Sequence, residues 1–505
     1  MSRRIGFDNE QYLEEQSSFI IDRARQFGNK LYIEFGGKLI FDYHAARILP
    51  GFDPNVKVRL LQRLKQESEI IVCLYAGDIA RKKIRADFGI TYDVDTLRLI
   101  DDLRSRGLEV RSVVVTRFEE QSSVRQFIDR LERRGVKVYK HGLTKGYPTN
   151  VDLIVSEEGY GANEFIETEK PIVIVTAPGP GSGKLGTCLS QLYHEHKRGI
   201  EVGYAKFETF PIWNIPLKHP VNVAYESATA DLGDCNEVDP YHLAAYGVTS
   251  INYNRDVEVF PVVKRILERI MGSVSVYKSP TDMGVNRAGF AICDDEVVRE
   301  AAIQEIIRRY CRYSCEYAMG LADEKTVERS QLLMEEMGAS VMDRKVVGAA
   351  REAAIRAEGR GKGNEGVFCG VAIELADGTI ISGENSTLMH AASCVVLNAI
   401  KKLAGIPDKI HLLPPNIIEA VSNLKKSVLK SKQLSLDLEE TLIALSISAT
   451  SNTVAQLAMA ELTNLRGCEM HITHIPTSGD EAGLRRLGVN LTSDPNFAGK
   501  NLFMG

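Results

Sequence analysis

A chain of 505 residues exceeds what one hydrophobic core usually serves, so two or three domains are expected. Its apolar and charged fractions, 44% and 26%, are ordinary for a globular protein, and a formal charge of −5 excludes the strongly basic surface of a nucleic-acid partner. No run approaches the roughly 18 apolar residues of a membrane helix, and the start Met1-Ser2-Arg3-Arg4-Ile5-Gly6 lacks a signal peptide's apolar stretch, so a cytoplasmic protein with no membrane partner is expected.

Residues 10–28 carry apolar side chains at helical spacing, and 31–35 alternates as a strand should. Gly36-Gly37 supplies the positive φ of a tight turn, which predicts a hairpin with 39–42 returning antiparallel. Short apolar runs follow at 70–75, 110–115, 136–139, 151–155, 171–175 and 202–205, several of them separated by amphipathic helical stretches such as 95–106 and 121–134. This is the βαβ alternation of a parallel sheet covered by helices, so residues 1–271 read as a Rossmann-like α/β domain. From 272 to 360 the pattern changes to long charged helices (296–319 and 326–337), the signature of a helical linker or oligomerisation region. Residues 361–505 read as a smaller C-terminal α/β domain, with an Asp377-Gly378 hairpin and a helix from about 389 to 404. The nine cysteines are odd in number and scattered through apolar or helical stretches, so reduced, buried thiols are expected and no metal-ligand set is read.

The segment Pro171-Ile172-Val173-Ile174-Val175-Thr176-Ala177-Pro178-Gly179-Pro180-Gly181-Ser182-Gly183-Lys184-Leu185-Gly186-Thr187 carries the most chemistry. A buried strand feeds a glycine-rich turn that opens a helix, and glycines let successive backbone N–H groups converge on one oxyanion. The cofactor-binding set is therefore Gly179, Gly181, Ser182, Gly183, Lys184, Gly186 and Thr187, with Lys184 placed as the lysine of a P-loop-like turn reaching phosphate. The pattern G-x-x-x-x-G-K-[ST] is broken by Pro178 at its first glycine and by Leu185 at its magnesium-binding hydroxyl, for which Thr187 is the substitute. The same letters fit G-x-G-x-x-G at Gly181, Gly183 and Gly186, with Glu208 in the place of the ribose-binding acid, although Thr176 to Pro180 intervene where the first glycine should directly follow the strand.

Parallel sheets bind ligands beyond the carboxyl ends of their strands. That places Asp78, Arg117 and Glu157 at strand ends: Asp78 and Glu157 join Lys184 as catalytic candidates, and Arg117 is a phosphate clamp. The cluster Gly77-Asp78-Ile79-Ala80-Arg81-Lys82-Lys83-Ile84-Arg85 adds basic charge at such an end. The polar loop 225–242 supplies Asp234, Asn236, Glu237 and His242 as substrate contacts, while Asp239-Pro240 reads as a helix cap followed by proline at the first helical position. His194-Glu195-His196 reads as the end of the helix after the glycine turn, where cations suit the helix dipole.

Gly6-Phe7-Asp8, Glu34-Phe35-Gly36-Gly37-Lys38-Leu39, the span 176–186, Asp239-Pro240-Tyr241-His242, Asn252-Tyr253-Asn254-Arg255-Asp256-Val257-Glu258-Val259-Phe260-Pro261 and Met389-His390-Ala391-Ala392 together resemble an uncharacterised bacterial family that carries a domain-of-unknown-function label. The resemblance spans nearly the whole chain and implies a multidomain cytosolic homo-oligomer, with no reaction attached. The last domain is similar to the cytidine-deaminase core in its order of hairpin then helix, but His390 is followed by Ala391-Ala392 and no P-C-x-x-C follows, so the zinc machinery is absent. The functional expectation is an enzyme that binds a nucleotide, such as ATP with magnesium, or another phosphorylated small molecule, and transfers or hydrolyses phosphate. The alternative is a non-catalytic nucleotide- or metabolite-sensing oligomer.

Overall fold

A computed structural model describes residues 4–85, 89–272 and 276–499. Arg85 is described by its backbone alone, so its side chain in the basic cluster lies outside the description, as do Met1, Ser2 and Arg3. The fold is mixed α/β, and contacts divide it into two compact units: residues 4–226 with 233–302, and residues 227–232 with 303–499.

The first unit is built on a six-stranded parallel sheet. Its strands are β1 (Leu31–Phe35), β2 (Ser68–Tyr75), β3 (Val110–Thr116), β4 (Lys137–His141), β5 (Ile172–Thr176) and β6 (Gly203–Phe207), in the order β4-β3-β2-β5-β1-β6. Strands β2, β3 and β5 are buried along nearly their whole length, which explains their continuous apolar sequences. The connections after β1, β2 and β3 step toward the β4 edge, whereas the connection after β5, through helix Lys184–Lys197, steps toward β6. Right-handed crossovers put these opposite steps on opposite faces. The carboxyl ends of β2 and β5 therefore border a crevice, the position where open α/β sheets take ligands.

Two expected elements are corrected. Gly36-Gly37 does not turn β1 into a hairpin: β1 pairs in parallel with β5 on one side and β6 on the other, so no edge is left for a returning strand. The chain runs on to helix Tyr43–Ile48, capped by Asp42. Residues 151–155 are not a strand either; Val151–Ile154 is a single helical turn capped by the Asn150 side chain, which accepts from the Leu153 amide at 3.0 Å. A short apolar run does not distinguish strand from helix, and here the cap decides. The Asp239-Pro240 start is as read, with Asp239 accepting from the Tyr241 and His242 amides, each at 3.0 Å. Ahead of it, β7 (Asn236–Val238) pairs antiparallel with β8 (Ile251–Tyr253).

The second unit holds a separate four-stranded sheet of β9 (Gly370–Glu374), β10 (Ile380–Glu384), β11 (Glu469–Ile472) and β12 (Asn490–Ser493), ordered β10-β9-β11-β12. The β9–β10 hairpin turns at Gly378, whose φ of 84° explains the glycine. Helix Lys345–Gly359 packs on this sheet so closely that a Cβ on Gly370 would collide with the main chain of Ala350 and Ala354. Residues 303–360 group by contacts with the C-terminal residues. The core beneath β9 and β11 is formed by helix Ala391–Leu403 and by buried Leu438, Ala444, Leu445 and Leu484. None of the cysteines of the described residues forms a disulfide.

Candidate functional site

The turn between β5 and helix Lys184–Lys197 is held almost entirely through its carbonyl oxygens. The Thr116 hydroxyl donates to the Ser182 carbonyl at 2.8 Å, the Ser182 hydroxyl donates to the Gly179 carbonyl at 2.7 Å, and the Arg117 guanidinium donates to the Gly181 carbonyl. The Gly183 carbonyl accepts from the Thr187 amide at 2.9 Å and closes the first turn of the helix. Among the described residues, the N–H groups of Gly183, Lys184, Leu185 and Gly186 meet no acceptor. They are the orphan donors of a helix start, and they carry its partial positive charge. The Lys184 ammonium, half-buried, has no ion pair or hydrogen bond among the described residues.

Two of the glycines are required by their surroundings. Gly183 has φ 84°, and a Cβ there would lie 2.9 Å from the Thr116 side chain. A Cβ on Gly179 would collide with the Tyr92 ring. Thr187, expected to offer a hydroxyl to magnesium, is buried and accepts from the Cys73 thiol at 3.5 Å, one turn inside the helix. Burial pushes that thiol up to about 12, so Cys73 is a neutral packing group.

Sequence-derived partners of the loop separate into those that the fold brings to it and those that it does not. Arg117 lies at the loop, but its guanidinium is spent on the Gly181 carbonyl and stacks over the Tyr75 ring with its carbon 3.5 Å from the centroid. Asp78 is buried at the end of β2 and is paired with Arg81 and, at 3.9 Å, with Lys83. Glu157 is elsewhere: exposed, it pairs with Lys197 at 2.9 Å and accepts from the Tyr193 hydroxyl at 3.0 Å, at the far end of the helix that Lys184 begins. That helix has 14 residues and is about 20 Å long. Glu157 therefore does not share a site with Lys184, because the run expected to carry it there is not a strand. His194 and His196 lie in the last turn of the same helix, as read, with His194 Nε2 2.9 Å from the Asn163 carbonyl.

A second group of charges gathers at the carboxyl ends of β1 and β6; sequence reasoning pointed to Glu208 and to the polar stretch holding Asp256, but not to Glu34 or Lys206 as site residues. Glu34 and Lys206 are register partners on these neighbouring strands. The Lys206 ammonium is 2.5 Å from Asp256 and 3.3 Å from Glu208. The Tyr204 hydroxyl donates to Glu34 at 2.9 Å. Burial works against the charge on Lys206, yet Asp256, Glu208 and Glu34 hold it above its ordinary value. Burial also raises the Glu208 carboxyl, with Lys206 opposing. Glu34 is also the register partner of Val175 on β5, the strand that leads into the loop. The signal in the sequence was a charged residue in the penultimate position of two otherwise apolar strands, LYIEF and GYAKF.

Of the polar loop, Asp234 and Asn236 belong near this second group. Asp234 is buried 3.4 Å from Arg255, and the charges of Asp234 and Glu208 both act on Arg255. Asn236 donates to the Asn222 carbonyl at 2.9 Å. His242 is committed to Ser279, with Nδ1 3.0 Å from its hydroxyl, and packs on Tyr246. Glu237 sits on β7, with burial and the charges of Glu258 and Asp239 raising its carboxyl.

Fold and site together define a two-unit α/β protein with a glycine-rich turn at the crevice of a parallel sheet. Residues 5–338 match the family described as "Domain of unknown function DUF1846, N-terminal", and residues 342–503 match "Domain of unknown function DUF1846, C-terminal". The chain belongs to this family. It is 59% identical over 500 residues to a UPF0371 protein of Clostridium botulinum (strain Loch Maree / Type A3), covering 99% of both chains. It is 57% identical over 500 residues to a UPF0371 protein of Clostridium tetani (strain Massachusetts / E88), again covering 99% of both. Among the described residues no helix is long and apolar enough to cross a membrane.

Proposed function

We propose that this protein binds a nucleotide or phosphorylated small molecule, its phosphate seated on Gly179–Thr187, and that phosphoryl transfer or hydrolysis takes place there. One observation carries the reading: the loop's carbonyls are occupied by protein donors, while the amides of Gly183 to Gly186 and the Lys184 ammonium have no partner among the described residues. Such a concavity of donors suits an oxyanion and gives it both hydrogen bonds and charge. Gly181 and Ser182 shape the turn; Lys184 neutralises the phosphate. With Leu185 apolar and the Thr187 hydroxyl turned onto Cys73, a magnesium ion accompanying ATP would be held by phosphate oxygens and water rather than by the loop. The reading includes a cytoplasmic setting and a homo-oligomer.

Thermal-shift measurements with ATP, with and without magnesium, with inorganic phosphate and with NAD test it. The expected result is a rise in Tm with ATP or phosphate that Lys184→Ala removes without lowering the ligand-free Tm. No rise with any phosphate-bearing ligand, or an equal rise in Lys184→Ala, defeats it; a rise with NAD alone transfers the site to dinucleotide binding. A non-catalytic sensor is favoured by one specific feature, the commitment of Asp78 to Arg81 and Lys83, which leaves that carboxylate no free role in catalysis. Stabilisation by ATP without any ADP produced, with or without magnesium, supports that second reading.

A further inference from the structure

The turn between β5 and helix Lys184–Lys197 limits how much phosphate it can hold. In a P-loop, backbone N–H groups ahead of the lysine cradle the inner phosphates of a nucleotide, and a hydroxyl directly after the lysine holds magnesium. Both provisions are curtailed here. Ahead of Gly181, the segment Ala177-Pro178-Gly179-Pro180 carries only two N–H groups, because proline has none. The ring of Tyr92, a residue 8% exposed, lies so close to Gly179 that a Cβ there would stand 2.3 Å from it, so protein already covers that face of the turn. The hydroxyl of buried Ser182 donates back to the Gly179 carbonyl at 2.7 Å and is spent within the turn. Directly after the lysine stands apolar Leu185, and the Thr187 hydroxyl is buried on the Cys73 thiol.

What the turn does offer is concentrated at the helix start. The carbonyls of Gly181 and Ser182 are tied to Arg117 and Thr116 at the end of β3, and the four consecutive amides from Gly183 to Gly186 are left without acceptors among the described residues. The neighbouring cations lead to the same limit by a separate route. Arg117 donates to the Gly181 carbonyl and lies over Tyr75; Lys83 lies over Tyr92, 5.2 Å from its centroid, and both Lys83 and Arg81 are paired with buried Asp78. Of these three and Lys184, only Lys184 has no partner among the described residues. Four amides and one ammonium match the three acceptor oxygens of a single phosphate group. A second phosphate in line with the first finds neither a full run of N–H groups nor a hydroxyl for its metal.

We propose that the turn seats one phosphate group, that of a phosphate monoester, without magnesium and in preference to nucleoside di- and triphosphates. The inference rests on the phosphate-loop reading above and names the ligand class of that site.

The test is calorimetric titration of the full chain with inorganic phosphate, glycerol phosphate, AMP, ADP and ATP, each in magnesium and in EDTA. Glycerol phosphate and AMP are expected to bind at least about tenfold more tightly than ADP or ATP, equally well in EDTA, and not at all to Lys184→Ala. Since AMP and ATP share their nucleoside, the comparison isolates the phosphate chain. ADP or ATP binding as tightly as AMP, or monoester binding that requires magnesium, overturns the proposal and leaves the phosphate loop standing. So does binding confined to inorganic phosphate, which has no ester group. Absence of binding by all five compounds, or equal binding to Lys184→Ala, removes the loop reading first, and the monoester preference with it.

Discussion

At the scale of the residue, the conformation of Gly183 admits little else. Its φ of 84° is left-handed and its missing Cβ clears Thr116, so Gly183→Ala is expected to destabilise the protein by more than about 1 kcal/mol in urea unfolding. The same substitution turns the loop amides away from one another, and the phosphate-induced rise in Tm disappears with it. The buried pair Lys57–Asp42, 2.8 Å apart, sets a second prediction. Burial opposes the charge of Asp42, yet Lys57 holds its carboxyl below the usual range. Lys57→Met leaves that charge buried and unpaired, at a cost of about 3–5 kcal/mol, recovered in large part by the double variant with Asp42→Asn. A third concerns His390, whose Nδ1 is 2.7 Å from Asp480. Burial alone would lower its pKa, but the hydrogen bond to Asp480 raises it. The resulting stability is fully present below the unfolded value of about 6.5 and is lost as pH rises through the raised one. The Tm of the wild type is expected to fall between pH 5.5 and 8 by more than that of His390→Gln.

At the scale of the element, the contrast between the two expected turns is instructive. Asp377-Gly378 makes a hairpin because β10 occupies a sheet edge, with β9 as its single neighbour. Gly36-Gly37 does not, because both flanks of β1 are taken. Sequence reports the turn propensity of either pair of residues; which strand has a free edge is set by chain segments well over a hundred residues away. The packing of helix Lys345–Gly359 on β9 yields a fourth prediction. A side chain on Gly370 would strike the helix backbone at Ala350 and Ala354, so Gly370→Ala is expected to destabilise by about 1–3 kcal/mol, read as a lowered denaturation midpoint. Backbone cannot yield as a flexible side chain does.

At the scale of the whole molecule, the chain comprises two compact units with separate sheets, and the candidate site is built entirely from residues of the first. Hydrogen exchange with and without a phosphate monoester is expected to slow in 176–187 and to stay unchanged in 370–374 and 469–472. Slowing confined to the second unit would place the ligand elsewhere. The candidate site illustrates how much of a constellation can be read in advance. The loop from Gly179 to Thr187 was legible because its chemistry is local: glycines, a lysine and a helix start within a single turn. Lys206 and Glu34 were not, because each is unremarkable among its sequence neighbours and they meet only through the strand order β5-β1-β6.

Sequence by itself determined the apolar runs that become buried parallel strands, the helix caps such as Asp239, and the position of the glycine turn, since all of these follow from a few consecutive side chains acting on their own backbone. Tertiary structure alone decided that β1 lies inside the sheet, that Glu157 stands at the wrong end of its neighbouring helix, that Thr187 faces Cys73, and that Glu208 fits against Gly36. These depend on which surfaces meet when the sheet closes, and that is a property of long-range packing to which no local propensity corresponds.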